Sequence, residues 1–338
     1  MLPDLVAALA CPLDGGGLRL DGRTLACGSG HRFDLARQGY ATLTAAPLAH
    51  TGDTPEMLDR RSRVHKAGLL AAVHGAVVDA LADARPDVLP EGIVCDVGTG
   101  AGTYLASVLD ALPCRTGVGV DVSKAAARRA ARCHPRAGAV VADVWRGLPL
   151  RDASVALLLD VFAPRNPAEF ARVVTPSGSV VVVTPDPDHL AGLRERAGML
   201  DVPAGKAAQV ARELAPGFRP VETRQVQQQV EVTRELAVDL ATMGPSGHHL
   251  DPLVLATSFA PPTTGREATG RETTGRETTG REATGRETTG REATGREATG
   301  REATGRTTAG GTPTGTAGPA PSTLSVTIAA TISRFQRR

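Results

Sequence analysis

The sequence predicts an α/β fold: a largely parallel sheet of about seven strands, preceded by a small cysteine-containing module. Three observations carry that expectation. Residues 86–190 alternate short apolar runs with helix-compatible segments, the pattern of strand–helix–strand units. A glycine-rich turn, Gly98-Thr99-Gly100-Ala101-Gly102, follows the first of those runs. An alternating apolar segment at 324–332 returns after a long low-complexity stretch, so that stretch interrupts a domain rather than ending it.

Taken in order, residues 1–45 form a loop-rich module holding two of the five cysteines, and 46–85 a helical linker. Thr54 suits an N-cap there, with Pro55 at the first helical position. Residues 86–260 carry strands expected at 93–97, 117–122, 139–142, 155–161, 179–184 and 221–232. Helices are expected at 104–112, 123–132, 167–174, 207–214 and 234–243. Residues 264–306 repeat a five-residue unit, Thr-Gly-Arg-Glu followed by Thr or Ala. No unit holds a large apolar side chain to offset the entropy of ordering, so 261–322 reads as a disordered, charge-balanced tether. Residues 323–338 then supply the final strand, with Leu324, Val326, Ile328, Ala330 and Ile332 on one buried face.

Composition narrows the function classes. Among 338 residues, Lys+Arg is 38 and Asp+Glu 36, a net charge of +2, which excludes a strongly basic nucleic-acid tail. One Trp, two Tyr and six Phe are too few for a surface that works by stacking many bases. No apolar stretch approaches a bilayer span, and the first residues, with Asp4, do not read as a signal peptide. Five sparse cysteines fit reduced thiols, hence a cytoplasmic setting with no membrane partner.

The turn Asp96–Thr103 follows a strand and precedes a helix. A dinucleotide fingerprint would place its third glycine at Thr103, whereas the pattern here is Gly98, Gly100, Gly102. Asp121 ends the second strand, where a carboxylate can grip ribose hydroxyls, and Asp143 ends the third. This set resembles the class I S-adenosylmethionine-dependent methyltransferases, Rossmann-like in fold. The resemblance implies that the loop Asp96, Gly98, Thr99, Gly100, Ala101, Gly102 and Thr103 wraps the methionine and ribose portion of S-adenosyl-L-methionine. It implies that Asp121 holds the ribose and that Asp143 flanks the adenine amine. An α/β domain with a turn glycine cluster and two solvated aspartates is the plainer alternative, and a nicotinamide-binding domain a third.

In the N-terminal module, Cys11/Asp14 and Cys27/His31 have the two-pair arrangement of a zinc knuckle, with Asp14 where a second cysteine is expected. A structural zinc and a metal-free remnant knuckle both fit the sequence. With four protein ligands no position would stay open for catalysis.

From Cys11 onward the chain is similar to the 23S rRNA (guanine-N1)-methyltransferases, which begin with a zinc ribbon. The likeness runs through His31-Arg32-Phe33-Asp34, Arg37-Gln38-Gly39-Tyr40, Gly52-Asp53, Met57, Arg61 and Asp96–Gly102. It continues through Asp121–Lys124, Phe162–Pro167, Thr184-Pro185, Asp188-His189-Leu190 and Met243–Ser246. Ala163-Pro164 and His189-Leu190 are more diagnostic than the glycine loop. The details look most like the actinomycete branch that confers resistance to tylosin- and mycinamicin-type macrolides by methylating guanine-748; a sister branch modifies guanine-745. Leu69-Leu70 and His248 depart from that pattern, which often has His-Tyr and Trp there.

The resemblance implies a 23S rRNA hairpin loop as partner, docked on the zinc-ribbon-like module and the linker through Arg19, Arg23, Arg32, Arg37, Arg60, Arg61, Arg63 and Lys66. A homodimer and a monomer stay open. Asp160, at the end of the fourth strand, is a candidate to accept the guanine N1 proton or an amine hydrogen bond; its alternative is a loop cap. Phe162 is a candidate to stack on the base, or packs the core. His189 contacts RNA or substrate, or is a hydrogen-bonded structural residue. A small-molecule methyltransferase of an antibiotic pathway and a non-catalytic RNA-binding protein are the competing functions. The arginine-bearing module argues against the first, and the intact loop and acids against the second.

Overall fold

The computed structural model describes residues 2–48, 52–81, 89–259 and 323–338. The tether expected at 261–322 lies outside them, as do residues 82–85 of the expected helical linker.

The N-terminal module opens with α1 (Leu2–Leu5) and holds a three-stranded antiparallel sheet, β1 (Leu18–Asp21), β2 (Thr24–Cys27) and β3 (Arg32–Asp34). A short strand, β4 (Ala41–Thr42), leaves this module and joins the main sheet. The linker is two helices, α2 (Pro55–Lys66) and α3 (Ala71–Asp79), not one. The Thr54 hydroxyl accepts from the Met57 amide at 3.3 Å, as its capping sequence predicts. Gly68, at φ +74°, breaks the run between the helices.

The main sheet then grows through β5 (Ile93–Val97), α4 (Thr103–Ala111), β6 (Gly117–Asp121), α5 (Lys124–Ala130), β7 (Ala137–Val141), β8 (Val155–Val161), α6 (Pro167–Val173) and β9 (Val174–Pro185). Helices α7 (Ala191–Ala197) and α8 (Lys206–Leu214), strand β10 (Phe218–Thr233), helices α9 (Arg234–Thr242) and α10 (Pro252–Ser258) and strand β11 (Thr323–Arg337) complete it. The strand order is β10-β11-β9-β8-β5-β6-β7-β4. All pairs from β4 to β9 are parallel, while β11 runs antiparallel to both its neighbours. Counted from β5, the seven strands run 3-2-1-4-5-7-6 with the seventh reversed, the class I methyltransferase order. Strands β5, β7 and β8 are buried along their whole length, as parallel strands covered on both faces must be.

Two features depart from the sequence expectation. The sheet has eight strands, because Ala41 and Thr42 pair with Val140 and Val141 and cover the open edge of β7. β11 is buried on both faces over Ile328–Ser333 rather than on one. It lies inside the sheet, and its second face carries the small residues Ala329, Thr331 and Ser333, so helices and loops close over both sides.

Packing on the two faces gives two large cores. Leu105, Val108 and Leu109 of α4 meet Val73 and Val77 of α3 and Leu240 of α9 on one face. Leu5, Leu9, Phe170, Val210 and Leu214 fill the other, which also takes in Cys11, Leu25 and Cys27 of the module. The module is therefore seated on the sheet by the same apolar core that holds the strands together.

Candidate functional site

At the C-terminal end of β5 the chain turns through the glycine loop. Gly98 has φ +65°, and a Cβ there would stand 2.6 Å from the Ala163 Cβ, so only glycine lets the loop lie against that turn. Gly102, at φ +80°, packs so closely under α5 that a Cβ would meet the Cys133 Sγ at 2.6 Å. The Thr99 hydroxyl donates to Asp96 Oδ2 at 2.7 Å. Burial pushes the Asp96 carboxyl up to about 7, against the pull of that hydroxyl.

Asp121 ties the loop to the second strand. Its Oδ2 accepts from the Gly100 amide at 2.9 Å and its Oδ1 from the Ser123 amide at 2.8 Å. Each oxygen keeps a further lone pair, and the residue lines a cavity of about 780 Å³. Asp143 lines the same cavity, two residues beyond the end of β7. There its Oδ1 accepts from the Trp145 amide at 3.0 Å and caps a single helical turn.

Of the loop residues, Gly98, Thr99, Ala101 and Thr103 face this cavity. Asp96, Gly100 and Gly102 do not: they shape the loop from behind, through Thr99, Asp121 and the underside of α5. Arg61 closes the near side. It pairs with Asp53 at 2.6 Å, donates to the Met243 carbonyl at 2.7 Å, and its Nη1 lies 3.0 Å from where a Gly100 Cβ would sit. This wall of glycine backbone, ribose-type carboxylates and short apolar side chains (Val122, Ala142, Val144) matches the polar and apolar parts of S-adenosyl-L-methionine.

The far wall comes from the turn after β8. Phe162 has φ +53° and is 40% exposed, so its ring is presented to the cavity rather than packed in the core. The His189 ring lies nearly parallel to it, with centroids 5.8 Å apart. Asp160 is sealed beneath this turn and does not reach the cavity surface. The Arg165 Nε stands 3.4 Å from its Oδ2, and Arg165 itself lines the cavity. Burial pushes the Asp160 carboxyl up to about 7, with Arg165 opposing.

In the module, the ligand atoms of Cys11, Asp14, Cys27 and His31 all lie within 4.8 Å of one another. Cys11 Sγ to His31 Nδ1 is 3.4 Å, Cys27 Sγ to His31 Nδ1 3.3 Å, Cys27 Sγ to Asp14 Oδ2 3.5 Å and His31 Nδ1 to Asp14 Oδ2 3.2 Å. Zinc bonds of about 2.0–2.3 Å in a tetrahedron give ligand separations of about 3.3–3.8 Å. The donor set therefore fits zinc. Asp14 Oδ1 accepts the Gly16 amide at 2.9 Å, which turns Oδ2 inward, and a carboxylate oxygen replaces the expected thiolate.

Several of the expected phosphate ligands are engaged inside the protein. Arg63 makes two 2.6 Å bonds to the buried Asp239, Arg60 donates to Thr242, and Arg32 pairs with Asp21. Arg60 and Arg63, with Arg61, pin α2 to α9 and the residue after it. Arg19, Arg37 and Lys66 are exposed and make no ion pair with another described residue. Tyr104, His65 and Trp145 also line the cavity, and sequence reasoning passed over them. Tyr104 stands directly after the loop, but nothing in its spacing marks a site; Trp145, the lone tryptophan, is 61% exposed beside Asp143, and its polar neighbours were the available signal.

The chain is similar to known proteins of one kind. The zinc-ribbon family model described as "RlmA, N-terminal" matches residues 9–47. The chain is 43% identical over 275 residues to a putative 23S rRNA (guanine-N(1)-)-methyltransferase of Micromonospora griseorubida, covering 77% of this chain and 93% of that one. It is 41% identical over 264 residues to the 23S rRNA (guanine(748)-N(1))-methyltransferase of Streptomyces fradiae, covering 77% and 92%. A putative 23S rRNA (guanine-N(1)-)-methyltransferase of Bacillus subtilis matches at 31% over 192 residues, 55% of this chain and 67% of that one. No helix among the described residues is long and apolar enough to cross a membrane. With two relatives matched over nearly their whole length and the zinc-ribbon family model matched at residues 9–47, the chain belongs to the 23S rRNA (guanine-N1)-methyltransferase family.

Proposed function

We propose that this protein transfers a methyl group from S-adenosyl-L-methionine to N1 of a guanine in a 23S rRNA hairpin loop, at the guanine-748 position, and so gives resistance to macrolides such as tylosin or mycinamicin. The observation that carries the reading is one cavity with two walls: the loop with Asp121 and Asp143, and the turn Phe162–Arg165 with His189. A donor on the first wall faces a base on the second.

S-adenosyl-L-methionine supplies a methyl group already activated on a sulfonium. The protein's task is alignment and exclusion of water. Asp121 and Asp143 hold the nucleoside, while the loop backbone at Gly98–Thr103 lies along the methionine portion. Phe162 offers a face to a base drawn out of its loop. Asp160 acts as a positioning residue: its carboxyl anchors Arg165 and with it the turn that presents Phe162. The rRNA hairpin docks on the module through Arg19 and Arg37 and on the end of α2 through Lys66, and the zinc held by Cys11, Asp14, Cys27 and His31 is structural.

Incubation with radiolabelled S-adenosyl-L-methionine and 23S rRNA, followed by primer extension, tests the reading. A methyl on N1 blocks Watson–Crick pairing, so a stop is expected at guanine-748. A stop at guanine-745 would favour a housekeeping role, and label appearing only in small molecules would remove the rRNA reading altogether.

A further inference from the structure

The loop between β9 and α7 is clamped by β11. The Asp186 amide donates to the Ala329 carbonyl at 3.1 Å and the Leu190 amide to the Thr327 carbonyl at 2.8 Å. The Thr331 hydroxyl donates to Asp186 Oδ1 at 2.7 Å. Between these ties, the Ala329 amide donates to His189 Nδ1 at 3.2 Å. A backbone amide can only donate, so Nδ1 is the acceptor and a neutral ring must carry its proton on Nε2. Burial keeps the ring neutral, pushing the imidazole down to about 4. His189 lines the cavity, and its ring lies 27° from parallel to Phe162. The strand after the repeat therefore fixes one tautomer beside one aromatic face, and the cavity is offered a donor of a single sense.

The purines differ in what they present to such a donor. Guanine carries an acceptor, O6, next to N1; adenine carries an amine donor at the same place. We propose that His189 is the residue that selects guanine, its Nε2–H donating to O6 of the base whose N1 is methylated. This inference rests on the guanine-N1 reading above. It also bears on rate. As the N1–CH3 bond forms, the CH3–S bond breaks, the sulfur keeps the bonding pair as a neutral thioether, and N1 releases its proton to water. To the extent that the proton leaves ahead of N1–CH3 bonding, negative charge develops on O6, where a fixed N–H strengthens as that charge grows.

The test is a cycle with two substrates and two proteins. The substrates are the same hairpin RNA with guanine or 6-thioguanine at the target; sulfur is the poorer acceptor, and N1 keeps its proton. The proteins are wild type and His189→Asn, whose side-chain oxygen can still accept the Ala329 amide while nothing replaces Nε2. The intrinsic reactivities of the two bases cancel in the ratio of ratios. His189→Asn is expected to lose about tenfold in kcat/KM on guanine and to shed the wild type's preference for oxygen over sulfur by a similar factor. His189→Gln, with an amide nitrogen near the Nε2 position, is expected to recover part of that preference. Equal sensitivity to sulfur in wild type and His189→Asn overturns the proposal, because a structural role would slow both substrates alike. Failure of wild type to methylate the guanine hairpin overturns the underlying reading instead.

Discussion

At the scale of single residues, burial separates side chains that shape the site from those that face it. Asp96 and Asp160 end adjacent parallel strands, and both are driven toward neutrality by desolvation. Neither reaches the cavity surface. For Asp160 the sign of the linkage follows directly. Its folded pKa, about 7, lies above the ordinary value of 3.8, so the folded state holds an extra proton between those limits. Its contribution is fully present below about pH 3.8 and is lost as pH rises through 7. Asp160→Asn removes that dependence. Wild type should lose stability relative to the variant between pH 5 and pH 8, by at most about 3 kcal/mol, because about two units of the shift lie inside that window. Urea midpoints at the two pH values measure it, and a difference that stays constant with pH would contradict the burial account. The sequence showed that Asp160 stands at a strand end. It did not show that the next residues fold over it, because that depends on Phe162 adopting a left-handed backbone.

At the scale of elements, the regular parts of the fold were legible and the junctions were not. Apolar runs bounded by turn residues located β5 and β8 to the residue, and the Thr54 cap located α2. Strand β4 escaped notice because two residues, Ala41 and Thr42, carry no periodicity. The second buried face of β11 escaped because Ala329, Thr331 and Ser333 read as polar or small in sequence, and only their place inside the sheet buries them. The metal cluster was legible as spacing; that Asp14 fits it depends on the Gly16 amide turning the carboxylate. Purified protein should contain about one zinc per chain. Cys27→Ser should lower the zinc content and the melting temperature together, since the site shares its core with Leu9 and Leu150. Unchanged melting in a variant free of zinc would show that the metal does not hold the module.

For the whole molecule, the residues before and after 261–320 belong to one compact unit, and β11 pairs on both sides with strands made before the repeat. Completing the sheet, and with it the clamp on His189, requires the chain to return across about sixty residues. Loop closure entropy changes slowly with length, about 0.6 kcal/mol per doubling. Replacing 264–306 by a short Gly/Ser linker should therefore leave the melting temperature within a few degrees and methylation intact. Loss of methylation with the fold preserved would assign the repeat a direct role. The account as a whole turns on whether the loop after β5 holds the methyl donor against Asp121. Isothermal calorimetry of S-adenosyl-L-methionine with wild type and Asp121→Ala tests it most directly. Saturable one-to-one binding by wild type and at least a tenfold loss in the variant are expected, from two hydroxyl bonds to a carboxylate. Equal affinity in the two folded proteins, or no heat with wild type, would contradict it.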